Sequence, residues 1–236
     1  MLRSSDRYCR LFLLLGTAAM LLCGVSDCLL SYMGEGEPYV VKNMVSADIV
    51  NVPLWHYSLS FFIGIPAAVF YYLAAGSVCR YIGESDAADA EGWKKAYRFG
   101  TAMMSVGIFG IHSICCMALM GVRAALLSGA DPLTAGEMFA PAALIPFAVG
   151  TVWQTAADII SGAAYIAMVV KGVIPVPKKW LIIGPLSLFV ITKVLGRTLT
   201  ALTGVSAFTH WLAGGESWGI AFMFLSVLSV WPPERR

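Results

Sequence analysis

The apolar positions of this chain neither recur with an amphipathic period nor alternate as in a half-buried strand. They run together in long blocks, and the charges collect between them. A helix crossing a hydrocarbon core of ~30 Å needs about 20 mostly apolar residues. Six blocks meet or approach that length: residues 11–32, 55–79, 99–122, 139–170, 180–203 and 217–231. The pattern predicts an all-α polytopic membrane protein, with one transmembrane helical domain over residues 1–236 forming a six-helix bundle. The fourth block is long, so its first turns near Pro141 and Pro146 are expected to project from the bilayer or bend. The sixth is the shortest.

The cations between the blocks set a direction. Arg3, Arg7, Arg10, Arg80, Lys94, Lys95, Arg98, Lys171, Lys178, Lys179, Arg235 and Arg236 fall on one side, against Lys42 and Arg123 on the other. Lys/Arg-rich connections stay in the cytoplasm, which predicts a multi-pass cell-membrane protein with both termini cytoplasmic. The outer segments carry Glu35, Glu37, Asp48, Asp131, Glu137 and Glu216. The connection at 83–98, with acids and bases mixed, reads as a solvated connector. Arg3, Arg7 and Arg10 ahead of an apolar run resemble a signal peptide, but no A-x-A site follows and the first span is expected to be retained.

Composition agrees. Hydrophobic residues make up 58% and charged residues 13%, with a mean hydropathy of +0.76, whereas soluble domains average roughly 25% charged. A net charge of +2 without a basic stripe excludes nucleic acid as a partner. The six cysteines form no CxxC pair or zinc-finger spacing and read as buried thiols.

Against this background the polar residues inside the spans are the candidates for chemistry, because each is costly there unless it pairs or functions. Counting ~1.5 Å per residue from the basic anchor of each span, Asp27, His112, Gln154, Asp158, Lys193 and Arg197 fall in one slab, in the outer third of the membrane. His56 and Tyr57 could cap it. Gln154 and Asp158 share a helix face, as do Lys193 and Arg197. Two cations at that spacing need an anionic neighbour. Asp27 and Asp158 could supply it as an ion-pair network, or a ligand with a carboxylate or phosphate could supply it from an outward-facing pocket.

Three histidines, His56, His112 and His210, suggest a different chemistry, a zinc site completed by Asp27, Asp158 or Glu216. Against it stand the absence of HExxH and of any His pair at i, i+4, and the placement of Ser206-Ala-Phe-Thr-His210 in a loop, so no cofactor is predicted. No P-loop, dinucleotide fingerprint or Gly-x-Ser-x-Gly elbow is present. Gly100, Gly107, Gly110 and Gly121 give the third span a small-residue face for close packing, with His112 pointing inward. At least one of Tyr71 and Tyr72 is expected to face the interior. Asp27–Ser31 and Asp158–Ser161 echo one another, as two inverted three-helix halves would.

At Gly24-Val-Ser-Asp-Cys-Leu-Leu-Ser-Tyr32, Trp55-His-Tyr57 and Gly110-Ile-His112 the chain resembles an uncharacterised family of bacterial multi-span integral membrane proteins. The resemblance implies a bacterial inner membrane, singles out Asp27 and His112, and adds no catalytic residue. The sequence thus leads to a bilayer-embedded protein whose polar pocket binds or transports a small anionic or amphipathic molecule. The rivals are a membrane-embedded enzyme, metal-dependent or not, acting on a lipid-like substrate, and a structural or accessory subunit. A homo-oligomer is compatible with each.

Overall fold

A computed structural model describes residues 2–36, 38–40, 45–83 and 90–231. Among them, six helical segments are long and apolar enough to cross a membrane. The first is α1 (Leu2–Ser31) and the second α2 (Trp55–Gly83). The third is built from α3 (Ala90–Val106), a π-helical turn at Gly107–Ile111, and α4 (His112–Leu127). α5 (Pro132–Val170) and α6 (Pro185–Thr203) follow, then a short α7 (Ala207–Trp211) running into α8 (Gly215–Val230). The expected blocks are all helical, but their ends move. The third span begins at Ala90, so the latter part of the expected connector is helix. Lys42, Glu37, Glu84, Asp86, Asp89, Arg235 and Arg236 lie outside the described residues.

Local chemistry explains the boundaries. Asp131 caps α5: its Oδ1 accepts from the amides of Leu133 and Thr134 at 3.0 and 3.1 Å, and Pro132 fits the first helical position because its missing N–H would have had no partner there. α5 then continues as one helix through both Pro141 and Pro146, starting seven residues before the expected block. The fifth span is shorter than expected, because Lys178–Ile183 is a 3₁₀ turn ending at Gly184-Pro185. Gly204, at φ +72°, closes α6 with its N–H on the Thr200 carbonyl, a backbone conformation that favours glycine.

Packing is densest where small residues let helices meet. α1 lies along α2, with Gly16 seated against Ala74 and the Phe70 carbonyl, and Leu13, Met20, Ala67, Ala68 and Tyr71 buried between them. α8 closes on α1 through Gly214 against the backbone of Gly24, whose missing side chain leaves room for the Trp218 ring. Gly100 meets the Ser161 backbone, Gly107 receives the Gln154 side chain and Gly121 receives Phe139, so three of the four glycines expected to form a packing face in the third span do so, against α5. Gly110 meets nothing.

α5 touches α6 through Gly162 and Leu186 but packs on it far less than α1 packs on α2. Two equivalent three-helix halves would make these contacts alike, so the fold speaks against the internal repeat. Only 11% of the most apolar window of α6 is buried within the chain. At the face holding the N-terminus, Arg80 pairs with Asp6 at 3.5 Å and Lys171 lies over the Trp93 ring.

On the opposite face, a 3₁₀ turn at Ala47–Asn51 follows a short antiparallel pairing of Pro38–Val40 with Val45–Ser46. Arg123 fastens this loop by donating to the carbonyls of Val52 and Val50 at 2.9 and 3.3 Å. Tyr57, fully buried beneath it, donates to the Tyr32 carbonyl at 2.9 Å. The Asp48 carboxylate accepts from the Glu35 amide, which holds it below the usual carboxylate range, and the Tyr32 hydroxyl donates to Glu35, which holds its own ionisation above the usual range.

Candidate functional site

The polar residues gather into two adjoining clusters. The first is centred on His112, which leaves the π-helical turn as the first residue of α4. Widened turns of this kind concentrate at functional sites. Here the turn sits where two side chains need space: Gln154 enters the notch at Gly107, and the Trp153 indole donates to the Met103 carbonyl at 2.7 Å. The His112 ring packs on Gly64 of α2, where a Cβ would stand 2.7 Å from its Cδ2.

Both ring nitrogens are engaged. Nε2 lies 3.0 Å from Ser60 Oγ and 3.2 Å from Ser26 Oγ, and Nδ1 lies 3.5 Å from Asp27 Oδ1. Ser26 and Ser60, each 0% exposed, bond to one another at 2.8 Å and to each other's carbonyls. Asp27 completes the cluster by accepting from Ser217 of α8 at 2.7 Å. Four spans are thereby joined at one level.

The second cluster is acidic. Glu216, next to Ser217, accepts from Gln154 Nε2 at 2.6 Å and lies in hydrogen-bonding contact with Asp158. Asp158 is 5% exposed, and its Oδ1 has no partner among the described residues. Tyr71, 1% exposed, reaches Ser161 beside it, while Tyr72 is 51% exposed, so one of the two tyrosines faces inward as expected. Two carboxyls in contact repel one another strongly when both are ionised. Asp27, Gln154 and Glu216 are half-buried rather than sealed.

The expected residues divide accordingly. Asp27 meets His112, and Gln154 meets Asp158 through Glu216. Lys193 and Arg197 share a face, but it is the exposed face of α6; the buried one carries Thr192 and Gly196. Among the described residues neither cation forms an ion pair. Lys193 lies over the Phe189 ring, near enough to Asp27 and Glu216 for its charge to act on both. The balanced network of two acids and two bases is therefore replaced by three acids and a histidine in the interior, with the cations outside. Glu216, expected in an outer segment, is the residue that changes the count.

The histidines do not assemble as a metal set. His56 and His210 flank the Tyr32 ring, with centroids 6.1 and 5.9 Å away, while His112 belongs to the serine cluster. Among the described residues no three or more His, Cys, Asp or Glu side chains converge as metal ligands would. His210 lies in α7, so the Ser-xxx-His spacing ends on a short helix rather than in a loop. The six cysteines are free thiols, four of them buried, and Cys116 donates to Ser60 Oγ at 3.6 Å.

The chain belongs to a family of unknown function (DUF6796), whose model matches residues 5–234. No curated protein and no solved structure matches it. Its six helices long and apolar enough to cross a bilayer mark it as a multi-span membrane protein.

Proposed function

We propose that this member of the family binds a small amphipathic molecule in its intramembrane polar layer and moves it in exchange for a proton. It would sit in a bacterial inner membrane with both termini cytoplasmic, following the distribution of Lys and Arg. The observation that carries the proposal is the buried Asp158 oxygen that has no donor among the described residues, beside Glu216 and Gln154. A buried polar atom left unsatisfied costs free energy, and intramembrane acids that persist under that cost mark ion and proton pathways. The anionic head expected from Lys193 and Arg197 fits less well than a cationic one, because the interior group is acidic and those cations lie outside it. An ammonium head would donate to Asp158 and Glu216 in place of a proton shared between them, and its apolar tail would lie along the exposed α5 residues Val149, Val152 and Trp153.

The test is proton release from the purified full chain in weakly buffered detergent as alkylammonium ions of increasing tail length are added. Roughly one proton per chain is expected on saturation, from the linkage between ligand and proton binding, and none from Asp158→Asn. Equal release from both proteins, or none from either, rejects the reading.

A second reading rests on a different observation. Asp27 at Nδ1 and Ser60 at Nε2 of His112 follow the order of a nucleophilic triad, as an enzyme acting on a lipid-like substrate would need. Ser60 is fully buried and shared with Ser26, which favours a hydrogen-bonded relay over a nucleophile. Labelling of Ser60 by a fluorophosphonate, lost in Ser60→Ala, would reverse that order.

A further inference from the structure

Away from the polar layer, α1, α2 and α3 enclose a cleft of about 380 Å³ toward the face that holds the N-terminus. That volume lies within the range of small-molecule sites. Tyr72, Leu73 and Phe12 line it toward the middle of the span, on the outer surface of the bundle, and Cys79 and Arg98 line its other end. Tyr72 and Cys79 are seven residues apart on α2, so the cleft extends ~10 Å along the helix. Its floor passes Gly76, where an added Cβ would meet no atom within 4 Å. The cleft is thus long, apolar for most of its length and basic at one end.

Arg98 decides what fits. Its side chain is exposed, and among the described residues no carboxylate pairs with it, whereas Arg80 and Lys94 nearby pair with Asp6 and Glu91. Lys95, three residues earlier on α3, is exposed as well. A guanidinium left unpaired at the mouth of an apolar cleft matches a phosphate diester that carries an acyl chain, since arginine binds phosphate oxygens in a fork. We propose that this cleft is a site for one anionic phospholipid from the leaflet on the N-terminal face, with its phosphate on Arg98 and an acyl chain passing Gly76 to Phe12, Leu73 and Tyr72.

The full chain is incorporated into lipid nanodiscs made from equal parts of dioleoyl phosphatidylglycerol and dioleoyl phosphatidylcholine, and the lipids retained per protein are counted by native mass spectrometry. The wild type is expected to retain phosphatidylglycerol roughly fivefold over phosphatidylcholine, the preference that about one favourable charge contact confers. Arg98→Gln brings the ratio near parity and Arg98→Lys keeps most of it. Gly76→Leu fills the floor and removes the retained lipid of either kind. Thermal unfolding checks that each variant folds; Gly76→Leu is favoured by helix propensity, and its Cβ meets no atom within 4 Å. An unchanged ratio in Arg98→Gln overturns the proposal. So does full retention in Gly76→Leu, which would leave the lipid on a basic surface with the cleft empty.

Discussion

Asp158→Asn exchanges a carboxyl for an amide of nearly the same shape and so separates the two roles an intramembrane acid can have. In the wild type, Asp158 and Glu216 meet as two acceptors that need a proton to join them, and Asp158 Oδ1 has no donor among the described residues. The asparagine amide would donate directly to the Glu216 carboxylate, which already accepts from Gln154 at 2.6 Å. The wild-type pair makes the equivalent hydrogen bond only by holding a proton that an exposed carboxyl releases at neutral pH, and the amide avoids that cost, about 1.4 kcal/mol per pH unit. The variant is expected to be more stable by about 1–3 kcal/mol, or roughly 2–10 °C in Tm for a chain of this size.

The assay is thermal unfolding of both proteins in the same detergent at neutral pH, beside the proton-release measurement. Greater stability together with lost proton release is the pattern of a site kept at a cost to the fold. A variant less stable than the wild type by 1 kcal/mol or more would refute the reasoning, since only a fully satisfied structural carboxylate loses that much on becoming an amide. The polar layer would then serve helix packing alone, as in a structural subunit.

Other positions test the frame around the acids. Gly64→Ala should push the His112 ring from Ser26 and Ser60, costing about 1–3 kcal/mol in thermal unfolding because a Cβ there stands 2.7 Å from the ring; an unaffected Tm would show that α2 yields. Lys193→Met and Arg197→Met should each unfold within about 0.5 kcal/mol of wild type, as exposed unpaired side chains do, whereas a large loss in chemical denaturation would restore the balanced network. Asp131, held below the usual carboxylate range by the Thr134 hydroxyl and the amides of its own turn, stabilises the start of α5 at neutral pH and stops doing so as pH falls through its depressed value. The protection of the Leu133 and Thr134 amides, taken relative to the intrinsic exchange rate at each pH, should therefore fall in acid for the wild type and lose that dependence in Asp131→Asn, which keeps the cap without the charge.

How far the sequence spoke depends on which coordinate is asked for. Depth was legible: counting from the basic anchors put Asp27 and His112 at one level, and their side chains meet. Azimuth was not. The four-residue spacing made Lys193 and Arg197 neighbours, but hydropathy does not say which side of α6 faces the bundle. The small pair Thr192 and Gly196, one residue earlier in each case, marks the buried side and was the available signal. Glu216 was misplaced by a single residue at the end of a span, where pattern reading is least sharp. Ser26 and Ser60 gave no signal, because a serine in an apolar helix most often bonds its own backbone.

The turn at Gly107–Ile111 has a consequence for the length of the chain. A π-helical turn holds one residue more than the α-helical turn it interrupts. Were the same residues wound as a regular α-helix instead, everything beyond would rotate by about 100° against α2 and α5. His112 would swing off Ser60, and Cys115, Cys116 and the loop-fastening Arg123 would turn with it. Deleting one residue of the turn removes the surplus and leaves their aim unchanged, so the widened turn is what reconciles this number of residues with this aim. In this span the count of residues belongs to the site as much as their identity does.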